Sequence, residues 1–468
     1  MAHASMSPEK SAAEPAPPIA PGRLPVVGHL PALLRDPLEF LESLLPLGDI
    51  VTIYLGGRPM YFLNSLDLVH TVLVERVEEF RRGIIFEKAE KVLGNGLTVL
   101  EGEPHRKQRK LIRPALHMRQ IENYTDTMIA IADERTRTWR TGQPHDMNLL
   151  MHDLAMEIFC RALFRNELAD DAAAQVKVAT PSFMAGIVAQ SLYPAPWMEQ
   201  IPLPVNLRIK RARHQMSSAV VEIVGRYRAM VDAADPGDID TRASILDVLV
   251  AGREQETGAA MSDEQLQDEI INLVVAGAEA PGTTLAWLFH ELSCHPDVEQ
   301  RLREEIDTEL GAEPLTFENL QRLTYASAVI TETLRLHTPT WMLTRRPLHD
   351  IELAGYHIPA GGEVAFGLTT LHRHEQQYGN PGEFDPSRWL DGSAKDLPRS
   401  CFMPFGMGKH RCLGEHFTQN TMLVAIATIM RRWRLVPAPG TTVREQCVAL
   451  VQAKGLTMVP TPVSALSE

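Results

Sequence analysis

The stretch Phe402–Gly414 (FMPFGMGKHRCLG) constrains this chain more than any other. One cysteine, Cys412, stands in a loop punctuated by Gly406, Gly408 and Gly414, just ahead of an apolar segment running from Leu413 to Trp433. That segment is apolar nearly all round (Met422, Leu423, Val424, Ala425, Ile426, Ile429, Met430), so it predicts a helix buried on every side. Glycine allows turns that a side chain would block and lets a large flat ligand come close to the backbone. A thiol at a helix N-terminus faces the positive end of the dipole, which favours thiolate. His410 and Arg411 place cationic partners beside that sulfur.

Composition narrows the class. The 468 residues are 44% hydrophobic and 22% charged, enough chain for two average domains. Five cysteines without regular spacing, and without a CxxC or Cys/His pattern, argue against both a disulfide framework and a zinc site. A reducing cytoplasm fits them best. A formal net charge of -13 makes bulk nucleic-acid binding the wrong expectation. No run of about 18 apolar residues exists to span a membrane. The first 20 residues, rich in Ala and Pro and lacking an apolar signal core, read as a disordered tail, and Pro21 begins an ordered domain continuing to residue 468.

The cysteine loop resembles the haem-binding loop of the cytochromes P450. Phe405, Gly408, His410, Cys412 and Gly414 fall at that family's Phe, Gly, Arg-or-His, Cys and Gly. The resemblance makes Cys412 the thiolate ligand of the iron of haem b (iron protoporphyrin IX), with Phe405, Gly406, His410 and Gly414 against the cofactor. It implies one mainly α domain with a small β lobe (α+β). Membrane-bound members begin with an apolar anchor; its absence here suggests a soluble, bacterial-type member.

Three more signatures follow the family's order. A helix from near Pro104 puts His105 and Arg109 on one face at i, i+4; by resemblance they hold a haem propionate. Arg106, Lys107, Lys110 and Arg113 make the same helix basic, which suits docking of an acidic electron donor. Glu332 and Arg335, at i, i+3, match the family's buried pair, joined by Arg388. Arg345 matches a second propionate ligand, and residues Thr338 to Leu343 would line the pocket.

The remaining signature is a long helix from Asp263 to Cys294, opened by a capping box at Ser262–Gln265. Its middle, Ala276-Gly277-Ala278-Glu279-Ala280-Pro281, matches the oxygen-activating helix, where small residues at 276 and 277 leave room for O2. Here the sequence departs from the family. Ala280 stands where a Thr hydroxyl normally helps deliver protons. Pro281 lacks the N–H that would bond the Gly277 carbonyl, so a kink is expected. Ordered water, Glu279 or a substrate hydroxyl would then take over proton delivery. Thr283 and Thr284 read as ordinary helix residues.

Elsewhere, Ile50–Leu55 and Met60–Leu63 around Gly56-Gly57 predict a hairpin, and Ser65 an N-capped helix to Val74. Phe183 to Pro204, Met- and Pro-rich, falls by resemblance over the substrate pocket. Short strands surround Tyr356–Ile358 and Val364–Gly367, and His372-Arg373 is a structural element. The implied activity is monooxygenation of a hydrophobic natural product, a terpenoid first and a macrolide or other polyketide second. Electrons would come from a ferredoxin and its reductase. The alternatives are a P450-fold enzyme of atypical chemistry (oxidative coupling, rearrangement or peroxygenation), motivated by Ala280, and a non-catalytic haem or small-molecule binder.

Overall fold

The computed structural model describes residues 15–463 apart from 165–178, 181–183, 192, 194–195, 234–243, 254–257, 391, 393–396 and 448. Most of the tail expected over residues 1–20 lies outside the described residues. Its last part does not fit that expectation. Ile19 bridges to Thr52, Ala20 is buried, and the Ala20 N–H donates to the Thr52 carbonyl at 2.9 Å. The packed chain therefore begins before Pro21.

The hairpin forms as read: β1 (Ile50–Leu55) pairs antiparallel with β2 (Arg58–Leu63), closing at Leu55 opposite Arg58. Ser65 occupies the cap position with extended backbone, but its side chain makes no capping bond. The helix it opens, Leu66–His70, passes into a π turn over Thr71–Glu75. Strand β3 (Phe80–Arg82) follows, then helices α1 (Ile84–Leu93), α2 (Gly102–Ile112), α3 (Met118–Arg137) and α4 (Met147–Leu163). The long helix α5 (Asp263–Cys294) has the boundaries the sequence predicts. After it come α6 (Thr324–Leu336), β4 (Met342–Pro347), β5 (Glu363–Gly367) and α7 (Glu415–Met430). The fold is a single, mainly helical domain in which these five strands make one sheet of order β1-β2-β5-β4-β3, and the other described strands, Tyr356–Ile358 among them, form smaller two- and three-stranded sheets.

Helix α7 is buried along its length, from Phe417 to Met430, because nearly every face of it is apolar. It packs on α3, while α5 crosses α4, and one continuous core joins all four. The sheet carries its own apolar cluster around Leu63, Phe80, Val364 and Phe366. One sequence expectation for α5 is altered by a tertiary contact. Ser262 Oγ accepts the Gln265 N–H at 3.1 Å, but the Gln265 amide reaches across to Gln108 Oε1 at 2.7 Å instead of completing a capping box. Pro281 lies inside the helix, which continues to Cys294 as expected.

Between α6 and the sulfur loop lies a buried charge cluster. Arg335 donates to both Glu332 oxygens, at 2.7 and 2.9 Å, and Arg388 Nε donates to Glu332 Oε1 at 3.2 Å, as the i, i+3 reading expects. Trp389 Nε1 adds a bond to Glu332 Oε2 at 2.8 Å, and Arg335 Nη1 and Nη2 reach the carbonyls of His372, Pro381 and Glu383. His372 is fully buried and kept neutral by that burial; it accepts the Met403 N–H at 3.0 Å and bonds the Thr338 hydroxyl at 2.7 Å. It thus ties the start of the cysteine loop to α6.

Candidate active site

The loop ahead of α7 is set by its glycines. Gly406 and Gly408 both adopt positive φ, and a side chain at Gly408 would lie 2.1 Å from the Leu73 carbonyl oxygen. Gly408 is therefore needed for close packing on the π turn, and not only for approach of a ligand. The Cys412 N–H donates to the Phe405 carbonyl at 2.8 Å, closing the loop. Gly414 caps α7, which leaves Cys412 two residues ahead of the first turn.

Cys412 is open to solvent, yet protein crowds it enough that burial pushes its thiol above the usual range. The Gly414 N–H, Arg109 and Arg411 act to lower it, but burial wins. A metal bound at this sulfur would deprotonate it outright.

His410 finds its partners on other segments. Its Nδ1 meets Arg82 Nη2 at 2.8 Å, its Nε2 meets Glu101 at 3.2 Å, and its ring lies 4.5 Å from that of His105. Arg411 turns outward and pairs with Glu415 at 2.8 Å. Arg109, half-buried, acts electrostatically on both Cys412 and His105.

His105, His410 and Arg345 come together, with an arginine, Arg82, that the sequence did not single out. Arg82 is paired directly across the β3–β4 ladder from Arg345. Like charges directly opposite in a sheet repel. Both are almost fully buried, and burial lowers each guanidinium to about 10. Burial, helped by the neighbouring charges, also lowers His105 to about 3. Arg82 Nε and Nη1, His105 Nε2 and Arg345 Nε have no hydrogen-bond partner. Buried donors are normally satisfied. Three orphaned N–H donors on two buried arginines, beside a neutral His105 whose Nε2 is also unpartnered, suit a buried site for carboxylate groups.

Beside the cluster lies a cavity of about 380 Å³, within the range of small-molecule sites. Its walls are mostly apolar: Ile84, Phe86, Leu93, Met184, Ile187, Val275, Trp341, Leu343 and Leu450. Met184 to Ser191 supply part of the expected lid; Phe183 at its start lies outside the described residues. The wall runs from Thr340 to Thr344, since Thr338 is buried with its hydroxyl bonded to the Leu334 carbonyl at 2.8 Å. Ala276, Glu279 and Ala280 line the cavity as read, but Gly277 does not. A side chain at Gly277 would lie 2.2 Å from the Phe159 ring, so its smallness serves packing of α5 on α4. Pro281 is buried, and the Thr284 hydroxyl folds back to the Ala280 carbonyl at 2.9 Å. It offers no substitute for the hydroxyl missing at Ala280.

The site and the chain now agree on a class. A family profile described as Cytochrome P450 matches residues 17–463. A cyclooctat-9-en-7-ol 5-monooxygenase of Streptomyces melanosporofaciens is 38% identical, over 93% of this chain and 94% of that one. Cyclooctatin synthase of the same organism is 34% identical over 95% of each. Pentalenene oxygenase of Streptomyces avermitilis is 32% identical, over 92% of this chain and 94% of that one. The chain belongs to the cytochrome P450 family and is a monooxygenase of it, with haem as cofactor and O2 and a hydrophobic molecule as substrates. Among the described residues no helix is long and apolar enough to cross a membrane.

Proposed function

We propose that this P450 monooxygenase oxidises a terpenoid that already carries a hydroxyl group. The observation that carries the reading is the apolar cavity closed by Glu279 and Ala280, in a chain whose relatives are named for cyclooctatenol and pentalenene oxidation. A macrolide or other polyketide is the second substrate class. Ala280 favours the hydroxylated substrate, because a substrate hydroxyl near it would restore the missing group. The same residue motivates the alternative of coupling, rearrangement or peroxygenation.

Haem b would be held with Cys412 on iron, and its propionates by Arg82, His105, Arg109, Arg345 and His410. The orphaned donors on Arg82, His105 and Arg345 fit two carboxylates. Phe405, Gly406 and Gly414 would form the floor and Ala276 the roof. When bound, the haem supplies the oxygen chemistry, and a thiolate ligand favours O–O cleavage. The apolar wall orients the substrate and excludes water. Glu279 stands at the cavity as the group able to hold a proton. Ferredoxin and its reductase would deliver electrons at the basic face of Arg106, Lys110 and Arg113, in the cytoplasm.

Spectral titration tests the substrate class. Terpenoid alcohols such as cyclooctat-9-en-7-ol should bind at least tenfold tighter than their parent hydrocarbons, about 1.4 kcal/mol. Equal affinity removes the hydroxyl preference, and a product lacking an oxygen atom from O2 favours the atypical chemistry.

A further inference from the structure

We propose that His152 is the proton source for Glu279, so that a histidine–glutamate pair reaching solvent replaces the alcohol missing at position 280. The proposal rests on the monooxygenase reading and deepens it.

His152 lies on α4 and Glu279 on α5, and His152 Nε2 is 3.0 Å from Glu279 Oε1. The contact depends on a close helix crossing. A side chain at Gly282 would lie 2.7 Å from the His152 Cα and 3.0 Å from its backbone nitrogen. Glycine there brings the two backbones together and lets His152 reach a carboxylate that lines the substrate cavity. Position 277 repeats the device against Phe159.

The pair spans from cavity to surface. Glu279 is buried at the cavity wall, the His152 side chain is 15% exposed, and Asp153, 3.9 Å from His152 Nδ1, is 42% exposed. Burial opposes charge on His152, but Asp153 on its own helix and Glu279 on the facing one outweigh it and raise the imidazole to about 9. Those are the charged groups acting on it; Glu157, one turn further along α4, is taken by Arg135. The ring is therefore an imidazolium at neutral pH.

Monooxygenation consumes O2, two electrons and two protons: one oxygen atom enters the substrate and the other leaves as water. The electron donor supplies the electrons, and solvent must supply the protons. The His152 Nε2–H bond breaks as a Glu279 O–H bond forms. The Glu279 carboxyl turns to the cavity and releases that proton beside Ala280, returning to carboxylate. The ring then rotates to take a proton from solvent on Nε2 at the Asp153 side and turns back to Glu279. Each cycle moves one proton and leaves both residues unchanged. His152 acts through Glu279 and is a positioning residue; Glu279 is the group that faces the substrate.

The experiment uses the haem-loaded full chain. Histidine side-chain NMR of the reduced, carbon monoxide form should show His152 titrating near 9, falling toward the ordinary 6.5 in Glu279→Gln. His152→Gln, which keeps a hydrogen-bonding side chain but cannot carry the charge, should lower product per electron pair about tenfold and raise the solvent isotope effect. Rescue of His152→Gln by added imidazole would support the relay. A His152 that titrates in the ordinary range, or a His152→Gln variant with wild-type coupling and isotope effect, overturns it. If His152→Gln does not load haem, or the wild type turns nothing over, the NMR titration decides, since it needs no substrate. The second outcome counts against the proposed function alone.

Discussion

Two buried charge clusters flank the sulfur loop, and they are built oppositely. Around Glu332, Arg335 and Arg388 every carboxylate oxygen meets at least one donor, and Glu332 and Arg335 are wholly buried. Around Arg82, Arg345 and His105, donors remain orphaned and two arginines face each other across a ladder. A satisfied cluster is architecture; it holds chain segments together and needs nothing else. An unsatisfied one suits an anion, whose arrival would offset the desolvation of its charges.

The largest effect should come from breaking the satisfied cluster. Glu332→Ala leaves Arg335 buried without its counter-ion and should cost about 3–5 kcal/mol, read as a lost denaturation plateau and poor recovery of haem-loaded protein. Next, Arg82→Leu should speed haem transfer to an acceptor protein about tenfold, worth about 1.4 kcal/mol. It should leave the cofactor-free protein no less stable, since it removes a buried, half-partnered charge. A cofactor-free protein destabilised as much as by Glu332→Ala would erase the distinction drawn here.

Acid should separate the clusters further. His372, which braces the satisfied side, is lowered to about 3 by burial and by nearby Arg335 and Arg373. For a base whose folded value lies below its unfolded value of about 6.5, the unfolded chain binds the extra proton. Stability is therefore full above pH 6.5 and falls toward pH 3, by at most about 1.4 kcal/mol per pH unit for this one group. Denaturation midpoints across that window should slope accordingly, and His372→Gln should flatten them. The smallest effect sets the scale: the exposed pair Arg137–Asp133, at 2.6 Å, should matter by less than about 1 kcal/mol in Arg137→Ala.

Much of this was legible along the chain. Glu332 and Arg335 are one turn apart, so helix geometry alone puts them side by side. His105 and Arg109 share a helix face for the same reason. Helix α7 announces itself by being apolar on all sides, and α5 by a cap at Ser262 and a stop before Pro296. These are local relations, governed by periodicity and backbone chemistry, which a sequence states directly. The cysteine loop adds a spacing that tolerates little variation.

What escaped the sequence lies between segments. Arg82 joins the cation cluster because strand register sets it opposite Arg345, and nothing in Phe80-Arg81-Arg82 says which arginine turns inward. His410 meets Glu101 and Arg82, partners from a distant strand and loop that its own loop does not announce. Gly277 serves a helix crossing and not the oxygen pocket, and only the position of Phe159 shows it. His152 meets Glu279 for the same reason, through a gap that Gly282 leaves open. Local chemistry and spacing are written in the order of residues. Burial and the partner a charge finds depend on how segments cross, and only the folded chain decides them.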